Sequence, residues 1–180
     1  VNVNQRSILL GVAALGCTHY ANWHDFARSP GYHVPASIPI VVERTDAVRA
    51  ADEGGFVDTT VLTVENDLLE KGIEGHIVEA SAHPPAPPRV ELSFTGWTEG
   101  SGAARYFSEG LLGEAQVVVQ VKALFPDGRV ALQGRVAGAE IASSGSARNA
   151  AEAAGHSIAK VLADAQYVPN PPHSSQEHVP

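Results

Sequence analysis

Between Gln116 and Phe125 the chain alternates: Val117, Val119, Val121, Ala123 and Phe125 are interleaved with a set that includes Gln116, Gln120 and Lys122. Apolar residues at a period of two mark a strand with one buried and one wet face. Pro126-Asp127-Gly128 follows directly. Proline presets the first turn angle, aspartate bonds to its own backbone, and glycine accepts a positive φ. Gln116–Phe125 and Arg129–Glu140 are therefore expected to form a hairpin, although the second arm alternates less cleanly. A hairpin with one apolar face cannot stand alone, so the rest of the chain must extend the sheet and cover it.

The remaining segments supply both parts. Ile38-Pro39-Ile40-Val41-Val42-Glu43 is a β-branched run, with Pro39 confining it to a sheet edge or a strand start. From Phe56 to Lys71, Val57, Val61, Val64 and Leu68 recur at helical spacing, and Leu62 and Leu69 are read as widening the stripe. Asp58 in the first turn, Lys71 in the last and Gly72 beyond it frame that helix. Ile73 to Ala80 reads as a second strand. His83-Pro84-Pro85-Ala86-Pro87-Pro88 reads as a stiff extended loop, with a Pro-rich partner ligand as the sharper alternative. Val90, Leu92 and Phe94 alternate with Glu91, Ser93 and Thr95 as a further strand.

A final helix from about Ser146 to Ala165 places Ala147, Ala151, Ala154, Ile158, Val161 and Ala165 on one face, and Ser144 or Ser146 can cap it. The small side chains allow a close approach to the sheet. The expected architecture is α+β: a single mixed, mostly antiparallel sheet in the order β-α-β-β-β-β-α, with two helices packed on one face. No internal repeat is visible. The expected organisation is a signal peptide over 1–16, a lipidated arm over 17–37, an α+β domain over 38–167 and a disordered tail over 168–180.

The chain has 180 residues, 44% hydrophobic and 18% charged, which allows one globular domain plus tails. Twelve basic against twenty acidic residues give a formal charge of -8. That balance argues against nucleic-acid binding, which requires a basic surface to displace counterions. The three lysines, Lys71, Lys122 and Lys160, are scattered and form no polybasic patch for anionic lipid.

The N-terminal stretch carries the clearest address. Arg6 precedes the apolar run Ser7–Gly16, which ends at Cys17. The run is about half the ~20 residues that a membrane-spanning helix needs, so it reads as a secretory signal. Ala14-Leu15-Gly16-Cys17 resembles the bacterial lipobox, in which the thiol receives diacylglycerol and the cysteine becomes the new N-terminus. Ala14 departs from the usual leucine at its position. Cys17 is the only cysteine, so no internal disulfide can form. The competing reading is a buried N-terminal helix with a core cysteine. Thr18 after Cys17 resembles the pattern of lipoproteins sent to the outer membrane. The expected place is the bacterial cell envelope, lipid-anchored at the outer membrane and facing the periplasm or the cell surface.

Gly102-Ala103-Ala104-Arg105-Tyr106-Phe107, a glycine-bearing loop, and Gly113-Glu114-Ala115-Gln116-Val117-Val118-Val119 resemble a bacterial lipoprotein family of unknown function, the domain catalogued as forty-four-ten. The resemblance runs through the hairpin and the Ala-rich last helix, over roughly residues 38–165. The strand order is also similar to the N-terminal domain of the translocation protein TolB and to outer-membrane lipoproteins that activate peptidoglycan synthases. These resemblances imply an envelope location and a non-enzymatic role.

The chemical constellations are few. Among the eight histidines, His76, Glu79 and His83 are the set nearest to a metal site, but residues 76 and 79 of a strand face opposite sides. Gly100-Ser101-Gly102-Ala103-Ala104 lacks the lysine of a phosphate cradle. Ser143-Ser144-Gly145-Ser146 is not a nucleophile elbow. Arg105, Tyr106 and Phe107, with Trp97 nearby, are residue types enriched at binding hot spots, and their plainer reading is an aromatic plug at the sheet end. The expected function is a non-enzymatic binding or assembly module, held to the membrane through Cys17 and contacting an envelope protein or its own kind. No cofactor and no metal are expected. The alternatives are a metal-dependent hydrolase using His76, Glu79 and His83, or a structural lipoprotein that assembles with itself.

Overall fold

In a computed structural model the domain is one mixed sheet of six strands with helices on one face. The structure describes residues 18–51, 55–80, 83–98, 115–141 and 147–164. The strands are β1 (Thr18–Arg28), β2 (Ser37–Arg44), β3 (Glu74–Glu79), β4 (Arg89–Thr98), β5 (Ala115–Leu124) and β6 (Val130–Ile141). Their order across the sheet is β1-β6-β5-β4-β2-β3. β2 runs parallel to both β3 and β4, and the other three pairings are antiparallel. The helices are α1 (Asp46–Ala51), α2 (Phe56–Glu70) and α3 (Ala147–Ala163). The α+β class and the two helices on a single mixed sheet stand as the pattern required.

The expected hairpin is β5 and β6. The Phe125 amide donates to the Arg129 carbonyl and the Gly128 amide to the Phe125 carbonyl, both at 2.9 Å, and Gly128 sits at φ 82°. Pro39 lies at a strand start: β4 begins to pair only at Ile40, opposite Val90, so the missing N–H of Pro39 leaves no gap in that ladder. α2 ends as Gly72 implied. The Ile73 amide reaches the Leu68 carbonyl and the Gly72 amide reaches that of Leu69, with Gly72 at φ 77°.

Two expectations change. Thr18–Arg28, read as part of an arm, is the edge strand β1, antiparallel to β6 from Thr18–Ile141 to Arg28–Leu132. Its alternation is hidden by a bulge between His24 and Ala27, where Asp25 adopts φ 53°. An extra residue in one strand breaks the period of two on which a sequence reading depends. Trp23 anchors the strand at 5% exposure, with its indole N–H donating to Ser157 Oγ at 2.8 Å. Tyr32 and Val34 are buried as well, so the link to β2 also belongs to the domain. The second change is in α2: Leu62 and Leu69 do not widen the core stripe but stand 55% and 62% exposed. Each lies one residue, about 100° of helix, beyond the core positions Val61 and Leu68.

The core lies between the sheet and the helices. Ile38, Ile40, Val42, Leu92, Phe94 and Val119 contribute from the strands, and Val64, Leu68, Ile158 and Leu162 from α2 and α3. α3 lies close to the sheet because the contact is built from small residues. A Cβ on Gly138 would overlap the Ala150 carbonyl oxygen and come within 2.8 Å of Ala154 Cβ. Gly155 makes the same close approach to α2, where a Cβ would stand 2.6 Å from Thr63 Cβ.

Candidate interaction edges

Closed barrels have no free edges, but among the described residues this sheet ends in β3 on one side and β1 on the other. An edge strand offers a row of unpaired N–H and C=O groups that another strand can join. In β3 the direction of those groups is fixed by two bonds: the Glu74 amide donates to the Ala36 carbonyl and the Ala80 amide to that of Val42, both at 2.8 Å. Alternate residues point the same way. His76 and Val78 therefore also face β2, and Gly75, Ile77 and Glu79 direct their backbone groups to the open side.

Beside this edge, between β3 and α2, runs a groove of about 640 Å³ lined by residues that include Leu62, Glu65 and Ile77. Leu62, Leu69 and Ile77 (37% exposed) are three of the four large hydrophobic side chains that stand exposed among the described residues. Arg44 closes one end, donating to Asp58 at 2.6 Å and Glu79 at 3.1 Å. The sequence did contain a signal for this patch: Leu62 and Leu69 are seven residues apart and lie on one line of the helix, off the stripe of Val57, Val61, Val64 and Leu68.

The opposite edge is shortened at one end. The bulge at Asp25 interrupts β1 near its C-terminal end, so its regular part is Thr18 to His24. Arg28 then turns inward, donating to the Asp164 carbonyl and, at 2.9 Å, to the Tyr32 carbonyl. Burial lowers the pKa of the Arg28 guanidinium, opposed by Asp164 and Tyr32, and pushes the Tyr32 phenol up to about 12.

Two further polar features lie away from the edges. On the helix side, His156 Nδ1 meets Asp67 Oδ2 at 2.6 Å and ties α3 to α2 beside an 840 Å³ cleft that also holds Lys71 and Lys160. At the end of β6, Glu140 is fully buried; Asn149 donates to its Oε1 at 2.9 Å, and its Oε2 has no partner among the described residues.

The described residues of the expected metal set do not converge. His76 sits on β3 with its Nε2 2.9 Å from Ser37 Oγ, whereas Glu79 accepts from Arg44 on the other face. His83 lies in the exposed loop before β4. Among the described residues no three His, Cys, Asp or Glu side chains are grouped so as to hold a metal ion. Trp97 lies in β4, opposite Val117. Cys17, Arg105, Tyr106 and Phe107 lie outside the described residues, as do the Gly100–Ala104 and Ser143–Ser146 segments and the ranges 1–16 and 168–180. No helix among the described residues is long and apolar enough to cross a membrane.

No family model and no curated protein matches the sequence. Among solved structures the chain is similar to PelC from Paraburkholderia phytofirmans, a dodecamer, at 15% identity and a TM-score of 0.50, over 82% of this chain and 99% of that one. A point variant of that PelC, also a dodecamer, aligns at 16% identity and a TM-score of 0.47, over 81% and 98%. A putative neuraminyllactose-binding hemagglutinin homolog from Helicobacter pylori aligns at 10% identity and 0.29, over 75% and 84%. At these identities the likeness to the first PelC structure is a likeness of fold.

Proposed function

We propose that this chain is a lipoprotein of the bacterial envelope, anchored through Cys17 at the outer membrane, whose domain acts as a non-enzymatic assembly module. The observation that carries the reading is the pair of sheet edges left open among the described residues, one of them flanked by exposed Leu62, Leu69 and Ile77. Open edges favour strand addition, and exposed apolar side chains beside an edge favour burial against a partner. The leader ending at Cys17 supports the anchor. The PelC chain of similar fold assembles as a dodecamer, which makes self-association the first mode to test. Arg105, Tyr106 and Phe107, in the connection after the strand that carries Trp97, are the proposed contact for a second envelope protein.

Two measurements test this. A clickable fatty acid fed to cells should label the chain but not its Cys17→Ser variant, and equal labelling of both would remove the anchor. The full chain, purified from membranes in mild detergent, should sediment as an assembly that dissociates on dilution. A monomer at every concentration would remove self-association.

A further inference from the structure

Resting on that reading, we infer that copies join head to tail, with the β3–α2 flank of one copy against the β1–α3 flank of the next. Strand direction allows it. β3, β2 and β4 run one way, β5 the other, β6 back again and β1 opposite to β6. β1 is thus antiparallel to β3 within one chain. Copies related by rotation about an axis along the strands therefore bring β3 beside the next copy's β1 in antiparallel register, with the helices of both on the same face. The lengths agree: β3 has 6 residues, and the regular part of β1, Thr18 to His24, is one residue longer. The bulge at Asp25 ends the pairing where β3 runs out.

Charge disfavours a symmetric alternative. The β3–α2 flank holds Asp58, Glu65, Glu74 and Glu79, whereas Asp67 and Glu70 line the α2–α3 cleft with Lys71 and Lys160. The β1 flank carries no such excess: its strand holds Asp25 and Arg28, and Arg28 turns inward to the Asp164 and Tyr32 carbonyls. Arg44 of β2 offsets part of the acidic flank through Asp58 and Glu79, and that flank stays negative. Two β3–α2 flanks would repel each other, whereas a β3–α2 flank set against a β1 flank meets no such repulsion. A heterologous contact of this kind closes into a ring or continues as a filament, according to the rotation between copies.

The test uses two variants of the full chain in mild detergent. Ile77→Pro removes an amide that faces the open side of β3 and leaves the β2–β3 bonds intact, so it blocks one flank. Ala21→Pro removes an amide of β1 that faces away from β6, since its neighbour Asn22 lies opposite Ala137, whose backbone groups point to β1, and so it blocks the other flank. Each variant alone should sediment as a monomer with an unchanged circular dichroism spectrum, and their equimolar mixture should form a dimer and nothing larger. Where Ile77→Pro fails to fold, Ile77→Lys takes its place, setting a charge in the groove without altering the backbone. A wild type that never assembles would remove the reading above together with this inference. A wild type that assembles alongside an Ile77 variant that still assembles would overturn the inference alone. So would a β1 variant that still dimerises while the Ile77 variant does not, the result of a symmetric contact between two β3 flanks, and so would two monomeric variants whose mixture stays monomeric.

Discussion

Tyr32 is 3% exposed, packs edge-on against Phe125 at 5.4 Å, and among the described residues has no partner for its hydroxyl. Its pKa rises from 10.0 to about 12 because burial disfavours the phenolate more than nearby Arg28 favours it. An acid with a raised folded pKa holds its proton more tightly in the folded state. The unfolded chain therefore ionises first, and stability present below pH 10 is lost as the pH climbs from about 10 to 12, by roughly 2–3 kcal/mol. Tyr32→Phe should flatten that alkaline limb and, having removed an unsatisfied hydroxyl, be no less stable than wild type at pH 7. Melting curves that stay parallel from pH 7 to 12 would contradict the assignment. Glu140 is a second buried polar group, and Asn149 supplies the one hydrogen bond described to its fully buried carboxyl. Asn149→Ala should cost about 1–3 kcal/mol in urea denaturation, the penalty of a buried polar group left alone. No loss would show that water reaches the carboxyl in solution. Neither residue stood out in the sequence. Burial decides both effects, and one tyrosine or glutamate in a chain carries no mark of where the fold will place it.

At the level of elements, legibility follows periodicity. β4, β5, α2 and α3 repeat at 2 or 3.6 residues, and each lies within a few residues of its expected span. β1 was not legible because the bulge at Asp25 breaks its alternation, and α1 because six residues are too few to show a period. The stripe of α2 was read correctly through Val57, Val61, Val64 and Leu68 and too broadly through Leu62 and Leu69, which the neighbouring β3 does not cover. Trp23 measures how firmly β1 belongs to the domain. Trp23→Ala removes a ring 5% exposed and its bond to Ser157, and should cost about 3–5 kcal/mol. A dispensable arm would show no change in the denaturation midpoint. The hairpin gives a smaller number. Gly128 is held at φ 82°, so Gly128→Val should cost about 1–2 kcal/mol, and an unchanged melting temperature would mean that the turn relaxes without penalty.

For the molecule as a whole, the consequence of β1 is orientation. Cys17 immediately precedes Thr18, the first residue of β1, so a lipid on Cys17 would have no flexible tether between the acyl chains and the sheet. Thr18 pairs with Ile141, the last residue of β6, and the Pro126–Gly128 turn lies beyond the first, Val130. Eleven steps of strand separate Val130 from Ile141, and at about 3.3 Å per step the turn stands roughly 35 Å from the anchored end. The lipidated chain should therefore sit with Thr18 and Ile141 against the headgroups and the turn facing away. Vesicles or nanodiscs that contain a headgroup-labelled paramagnetic lipid provide the measurement. Amide signals of Thr18, His19 and Ile141 should broaden, and those of Asp127, Gly128 and Arg129 should stay sharp. Inserting a Gly-Ser linker between Cys17 and Thr18 should weaken the gradient without detaching the protein, because only the constraint on angle and distance is lost. Broadening of the turn, or uniform broadening along β5 and β6, would mean that the domain lies flat on the membrane or tumbles free of it. In that case β1 would not be the element that sets how the sheet edges are presented to neighbouring copies.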